Sequence, residues 1–114
     1  MCQGPDRPTA IFTTWDAAAE MIYLLLGHFG LRVPEDIFLV GEGGPVRLGA
    51  IIQKLSSVIV QEEEIGRQAA KLLCQMRDGE RPIDNDEEIV VPLSFYEGQT
   101  LGPLPKEIRC LETM

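Results

Sequence analysis

The sequence has few basic residues for its length. Ten lysines and arginines stand against eighteen aspartates and glutamates in 114 residues, which gives a formal net charge of −8. A surface with this balance repels phosphate backbones and anionic lipid headgroups. The chain alone is therefore a poor candidate for binding DNA, and we expect no membrane partner.

Long apolar runs are also absent. The longest run, residues 21–26 with alanines at 17–19 before it, is interrupted by Glu20. It is much shorter than the roughly 20 residues that span a bilayer. The first eight residues contain no apolar core of the kind found in secretion signals. We therefore expect no transmembrane segment and a cytoplasmic location.

Cysteine and histidine are scarce. The three cysteines, Cys2, Cys74 and Cys110, are scattered without metal-ligand spacing, which argues against a disulfide framework and a metal site. We expect Cys74 to pack as a small hydrophobic residue. His28 is the one histidine, and no nucleophile, base and orienting group are recognisable around it. The sequence therefore predicts neither an enzyme nor a bound cofactor.

The first forty residues predict a parallel βαβ unit. Residues 9–13 and 37–40 are continuous apolar segments rich in β-branched and aromatic residues, which is typical of buried strands. Residues 15–29 have high helix propensity and are followed by Gly30, which suits a left-handed helix end. Two strands joined by a helix pair in parallel. Because this helix is apolar on more than one face, we expect it to be buried on two sides.

A glycine-rich turn is predicted from Gly41, after the second strand. Ligands bind at the carboxyl ends of strands in open parallel sheets, so this turn is a candidate binding position. The remaining predicted elements are a short helix at 46–53, a strand at 55–60, a helix at 62–78 ending at Gly79, a strand within 88–95 bent near Pro92, and an irregular tail at 98–114.

The order of these segments resembles a known family. The segments are Pro8 to Asp16 (PTAIFTTWD), Gly30 to Ile37 (GLRVPEDI), Val40–Gly41, and Leu55 through Gly66. Together they resemble the C-terminal half of the effector-binding region of lactose/galactose-type (LacI/GalR) repressors, and the GLRVPEDI loop is the most specific part.

The resemblance implies an α/β fold: a partial parallel-sheet, Rossmann-like lobe of a periplasmic-binding-protein-like (type I) bilobal domain. The helix after Gln61 would belong to the second lobe. Residues 1–8 would be an irregular leader, 9–97 the C-terminal half of the ligand-binding and dimerisation domain, and 98–114 the tail.

The implied function is that of an effector-sensing, dimerising segment of a bacterial transcriptional regulator. DNA would be bound only through an N-terminal helix-turn-helix domain, to which no part of this sequence corresponds. Two alternatives are a fragment of a periplasmic sugar-binding transport protein and an enzyme on a Rossmann-like sheet. The lack of a catalytic set disfavours the enzyme.

Ligand contacts implied by the resemblance begin at the first helix. Trp15 stands where the family usually has an asparagine that touches the effector, and it could stack on a sugar ring or base or be a structural aromatic. Asp16, the next residue, either contacts ligand or caps the helix.

Further candidates follow the second and third strands. Gly43 occupies the position of a family aspartate that bonds effector hydroxyls, and Glu42 either reaches the cleft or is a solvated loop acid. Gln61 and Glu62 are possible cleft residues, although Glu62 also suits a helix N-terminus. These departures imply a small-molecule effector, sugar or nucleoside-like, that differs from the ordinary sugars, or a loss of effector binding.

A homodimer is the second implied partner. Glu20 and Leu24 of the first helix, with Ala50 and Ile51 of the following segment, map to the two-fold interface of the family. The alternative is that these residues pack beneath other layers of the same fold.

Overall fold

The computed structural model describes residues 6–84 and 86–103, which form one mixed α/β sheet structure. In chain order the elements are β1 (Ala10–Phe12), α1 (Asp16–His28), β2 (Phe38–Gly43), a turn of 3-10 helix (Ile52–Lys54), β3 (Ser56–Ile59), α2 (Glu62–Arg77) and β4 (Ser94–Tyr96). The sheet order is β1-β2-β3-β4. β1, β2 and β3 are parallel, and β4 is antiparallel to β3. The predicted parallel β1-α1-β2 unit is confirmed.

The core lies between α1 and one face of the sheet. Ala19, Leu39 and Leu55 are buried in contact with one another, and half-buried residues such as Ile11 and Ile22 pack around them. α1 ends at His28, and Gly30 takes the left-handed conformation expected of it (φ 77°). The small side chain of Ala19 lets the helix approach the sheet closely.

The outer side of α1 is uncovered. Met21, Leu24 and Leu25 are more than half exposed, at 65%, 57% and 53%. The expectation that this helix is buried on two sides is therefore wrong for the described chain, in which one side packs on the sheet and the other faces solvent.

The second face of the sheet is also open. Strand side chains alternate between faces, so Phe12, Val40, Val58 and Phe95 share the face opposite α1. Phe12 and Phe95 are 57% and 51% exposed. α2 contains no buried residue, and Cys74 on it is exposed, which overturns the prediction that Cys74 packs inside. Neither helix in the described ranges is long and apolar enough to cross a membrane.

Three element boundaries differ from the prediction. β2 continues through Gly43, so the turn begins later than Gly41. The segment predicted as a helix at 46–53 has only the 3-10 turn Ile52–Lys54, since Gly49 adopts a left-handed conformation (φ 98°) that interrupts a right-handed helix. The last strand lies wholly after Pro92, which has no N–H to donate to a ladder.

Residues 98–103 of the predicted irregular tail form no helix or strand, but they are hydrogen-bonded to the sheet. Thr100 is buried, and its hydroxyl donates to the Leu39 carbonyl (2.5 Å) while accepting from the Ser56 N–H (2.8 Å). The Leu39 N–H in turn donates to the Thr100 carbonyl (3.0 Å). The segment at 98–103 thus closes the sheet at β2 and β3. The rest of the tail, together with Cys2 and Cys110, lies outside the described residues.

The loop that carries GLRVPEDI is closed by its own polar side chains. The Arg32 N–H and Nε donate to Asp36 Oδ2 (2.7 and 3.1 Å), and the Asp36 N–H donates to the Arg32 carbonyl (2.8 Å). Hydrogen bonds from the Arg32 side chain, and then from its backbone N–H, hold the pKa of Asp36 below its ordinary value. The Val33–Pro34 peptide between them is cis.

Candidate functional site

The three parallel strands end at one edge of the sheet. Of the predicted ligand residues, Trp15 comes after β1 and Gln61 after β3, whereas Gly43 is the last residue of β2, directly before Gly44. Carboxyl ends of parallel strands share an edge, where ligands bind in open sheets. The side chain of Glu62 confirms this proximity, because a Cβ placed on Gly44 would lie 3.1 Å from Glu62 Oε2.

Trp15 presents an exposed aromatic surface at this edge. It is the N-cap residue of α1 in an extended conformation, and its carbonyl accepts from Thr13 Oγ1 (3.0 Å) and from the Ala19 N–H (3.1 Å). Its backbone is therefore fixed, whereas the residue is 67% exposed. It is also the one tryptophan of the chain. Ligand contact by Trp15 stays a prediction.

Asp16 is buried in an ion pair. Its side chain is 10% exposed, its Oδ2 accepts from Arg47 Nη1, and its Oδ1 accepts from Ser57 Oγ (2.7 Å). α1 has no side-chain cap hydrogen bond, so Asp16 does not cap the helix in that way, although it lies in the first turn as expected. The carboxylate instead crosses β2 to reach β3.

Arg47 connects this carboxylate to the amino end of β3. Its Nη2 donates to Ser57 Oγ (2.9 Å) and to the carbonyls of Ile52 (2.8 Å) and Leu55 (3.0 Å). Its guanidinium carbon lies 4.8 Å from the centre of the Tyr96 ring, within the range of a cation–π contact. Its side chain is 9% exposed, so the pair neutralises two buried charges against each other.

Sequence reasoning missed Arg47 and Ser57. Ser56 and Ser57 interrupt an otherwise apolar predicted strand, and a carboxylate buried against a sheet requires a cationic partner. These two signals pointed to a polar network, but they did not identify which arginine supplies the charge.

Glycine at 41 and 43 makes room for Asp16. A Cβ at either position would overlap the Asp16 carboxylate oxygens. Gly43 lacks the carboxylate that the family has at this position, and the carboxylate of Asp16 lies over it. The structure thus brings Asp16 and Gly43 together.

The remaining predicted ligand residues are arranged differently. Glu42 lies within β2, half-buried, on the face opposite Gly41 and Gly43, so it is not a loop residue and does not join Asp16. Gln61 Nε2 donates to Ser94 Oγ (2.8 Å), which ties the start of α2 to β4. Glu62 is exposed beside Gly44. Across residues 6–84 and 86–103, no group of three or more acidic, cysteine or histidine side chains could hold a metal ion.

The predicted dimer residues are unevenly exposed. Leu24 and Ala50 are exposed and Glu20 is half-buried, whereas Ile51 packs partly against the core. Leu24 and Ala50 are thus free to make contacts outside the described chain.

Comparison with known proteins gives a consistent picture. A family model described as a periplasmic binding protein-like domain matches residues 1–101. An arabinose metabolism transcriptional repressor from Geobacillus stearothermophilus is 33% identical over 85 residues, which is 75% of this chain and 23% of the repressor.

Solved structures agree in fold. A LacI family transcriptional regulator from Bifidobacterium animalis subsp. lactis superimposes with a TM-score of 0.73 at 26% identity, covering 91% of this chain and 37% of that one. A complex of the transcriptional regulator CelR with cellobiose gives a TM-score of 0.68 at 25% identity, covering 84% and 28%. The chain therefore spans less than half of each of these relatives.

Proposed function

Because the chain belongs to the periplasmic binding protein-like domain family, in the form shared with LacI-type transcriptional regulators, we propose that it is the effector-sensing and dimerising part of such a regulator. The observation that carries the proposal is the edge where β1, β2 and β3 end. There an exposed indole stands beside a rigid, internally neutralised ion pair. Such an edge offers a ring-stacking surface without an unpaired charge beneath it.

We propose a small polyhydroxy or nucleoside-like effector, distinct from the galactosides. The relatives support a sugar, since one is an arabinose metabolism repressor and another is solved with cellobiose. The departures at Trp15 and Gly43 support a change of specificity, because the carboxylate near Gly43 belongs to Asp16 and is already bonded.

Calorimetric titration tests the effector. The longest form of the protein that the gene encodes is titrated with L-arabinose, cellobiose, a β-galactoside and adenosine. We expect one non-galactoside to bind, with affinity lost in Trp15→Ala, largely kept in Trp15→Phe, and unchanged in Phe29→Ala. Phe29 is a matched control, since it is 56% exposed at the opposite end of α1. Tight binding of the galactoside, or binding that Trp15→Ala leaves intact, would contradict the proposal.

We propose a homodimer formed through the exposed side of α1 and the segment after β2. Glu20, Leu24, Ala50 and Ile51 are the contacts we assign, and Leu24 is 57% exposed. Leu24→Glu should convert a dimer to a monomer in sedimentation at micromolar concentration. Leu73→Glu on α2, where Leu73 is 66% exposed, serves as the control. A native protein that is monomeric at that concentration would refute the assignment.

DNA recognition in this proposal lies outside residues 1–114, in agreement with the net charge of −8. Effector binding would close two lobes and change the placement of the DNA-binding heads, a coupling between distant sites. A cytoplasmic location and the absence of catalysis go with this role. The transport-protein alternative is not favoured, because the relatives with named functions are transcriptional regulators.

A further inference from the structure

Arg47 makes side-chain contacts with several elements on the sheet face that carries α1. It comes from the irregular segment after β2, yet its guanidinium reaches Asp16 at the start of α1, Ser57 in β3 and the ring of Tyr96 in β4. Its side chain is 9% exposed and forms hydrogen bonds to four different acceptors. These hydrogen bonds fix the orientation of the planar guanidinium group.

Few other side chains hold the segment that carries Arg47. Apart from the Arg47 side chain, no residue at 44–51 is buried; Ile51 packs partly against the core, and Val46 and Leu48 are each 73% exposed. The guanidinium therefore acts as the anchor of the segment. Ala50 and Ile51, which we assign to the dimer, belong to the same segment.

The other end of the ion pair is next to Trp15. Asp16 follows Trp15 directly, and its carboxylate is held by Arg47 and Ser57 across the two glycines of β2. The peptide between Trp15 and Asp16 is thus held by the Asp16 side chain and by Thr13, whose hydroxyl donates to the Trp15 carbonyl. The direction in which the indole leaves the edge is set between these two attachments.

We propose that Arg47 is a positioning residue of the ligand site. Through Asp16 it orders the indole of Trp15 before ligand arrives, and through its own backbone it holds the segment at 44–51 to the same edge. The inference rests on the proposed function in one respect, that Trp15 contacts the ligand. An indole ordered in advance loses less conformational freedom on binding, so affinity should depend on a residue that does not touch the ligand.

The first test needs no ligand, because Trp15 is the one tryptophan and its emission reports on this site alone. Time-resolved anisotropy is measured for the native chain, Asp16→Asn, Arg47→Gln and the double variant. Each single variant should raise the mobile fraction of the indole about two- to threefold, the difference between rigid and flexible order parameters. The double variant should add nothing further, because both changes break one contact.

Two controls separate positioning from general stability. Ile37→Ala removes a side chain that is 1% exposed and away from this network, so it should destabilise the fold while leaving the native anisotropy unchanged. Arg67→Gln removes exposed ion pairs on α2 and should change neither property. If Arg47→Gln does not fold, Ser57→Ala takes its place, since it removes the hydroxyl between the two charges and should raise the mobility in the same direction.

The second test uses whichever sugar or nucleoside of the titration panel binds. Arg47→Gln should weaken that binding about three- to tenfold, the cost of ordering one free side chain, and Arg47→Lys should recover part of the loss. The inference would be overturned if folded Arg47→Gln or Ser57→Ala had the anisotropy of the native chain. It would also be overturned if the effects of the two single variants added in the double variant. If nothing in the panel binds the native protein, the proposed function fails, while the anisotropy still decides the role of Arg47.

Discussion

At the scale of single residues, the ligand edge depends on two positions that have no side chain. Asp16 reaches Ser57 only because β2 carries glycine at 41 and 43. The burial of the Asp16 carboxylate at this position therefore depends on glycine at residue 43. A carboxylate at 43, as the family resemblance would place there, and a buried carboxylate at 16 would compete for the same space.

Gly43→Ala tests this interdependence. The new methyl group would overlap the Asp16 carboxylate, so we expect a loss of about 1–3 kcal/mol in the free energy of unfolding, as for other overpacked sites. Gly66→Ala is the matched control, because nothing lies within 4 Å of its Cβ position and alanine favours the helix interior. Urea unfolding measures both variants. Equal behaviour of the two would show that Asp16 is not held against β2.

Asp36, in the loop at 31–36, should make the free energy of unfolding depend on pH. Hydrogen bonds from Arg32 lower the pKa of Asp36 in the folded state. The ionised Asp36 therefore stabilises the fold fully above the pKa of an unfolded aspartate, about 3.9, and this stabilisation is lost as the pH falls through the lower pKa of the folded state. The difference in stability between the native chain and Asp36→Asn should be constant above pH 5 and shrink toward pH 3. A difference that is the same across this range would contradict the assignment.

At the scale of elements, the sequence correctly predicted the helices and strands whose formation depends on neighbouring residues. The β1-α1-β2 unit follows from two apolar segments around a helix-forming one, and α2 follows from its acidic first turn. The segment at 46–53 is not the predicted helix because Gly49 takes a left-handed conformation, and the contact of its Arg47 with a carboxylate thirty-one residues earlier is contained in no local pattern. The burial of Thr100 was not predicted, for a similar reason: its hydrogen-bond partners lie on distant strands.

Thr100→Val measures how firmly the segment at 98–103 closes the sheet. The substitution keeps the shape of the buried side chain but leaves the Ser56 N–H and the Leu39 carbonyl without the hydroxyl that bonds both. We expect a loss of about 1–3 kcal/mol in the free energy of unfolding. Thr100→Ser keeps the hydroxyl and should lose less. If valine is the better tolerated of the two, the segment contributes packing rather than hydrogen bonds.

At the scale of the whole molecule, the chain exposes two apolar surfaces that a self-sufficient domain would cover. Its radius of gyration is 19.5 Å, whereas a compact chain of this length has about 13 Å. One face of the sheet and the outer side of α1 are both open. This openness fits a chain that spans 37% of a structural relative of the same fold.

The open sheet face can be tested in the chain itself. Phe12 and Phe95 are 57% and 51% exposed on that face, so Phe12→Ser with Phe95→Ser should reduce the binding of a hydrophobic dye while changing stability by about 0.5 kcal/mol or less per site. Leu39→Ala is the contrasting variant, because Leu39 is fully buried on the other face and its truncation should cost about 2–5 kcal/mol and increase dye binding. Dye fluorescence and urea unfolding separate the two faces. If the double serine variant unfolds like Leu39→Ala, the face is covered by part of this chain, and the exposed phenylalanines contribute to its core.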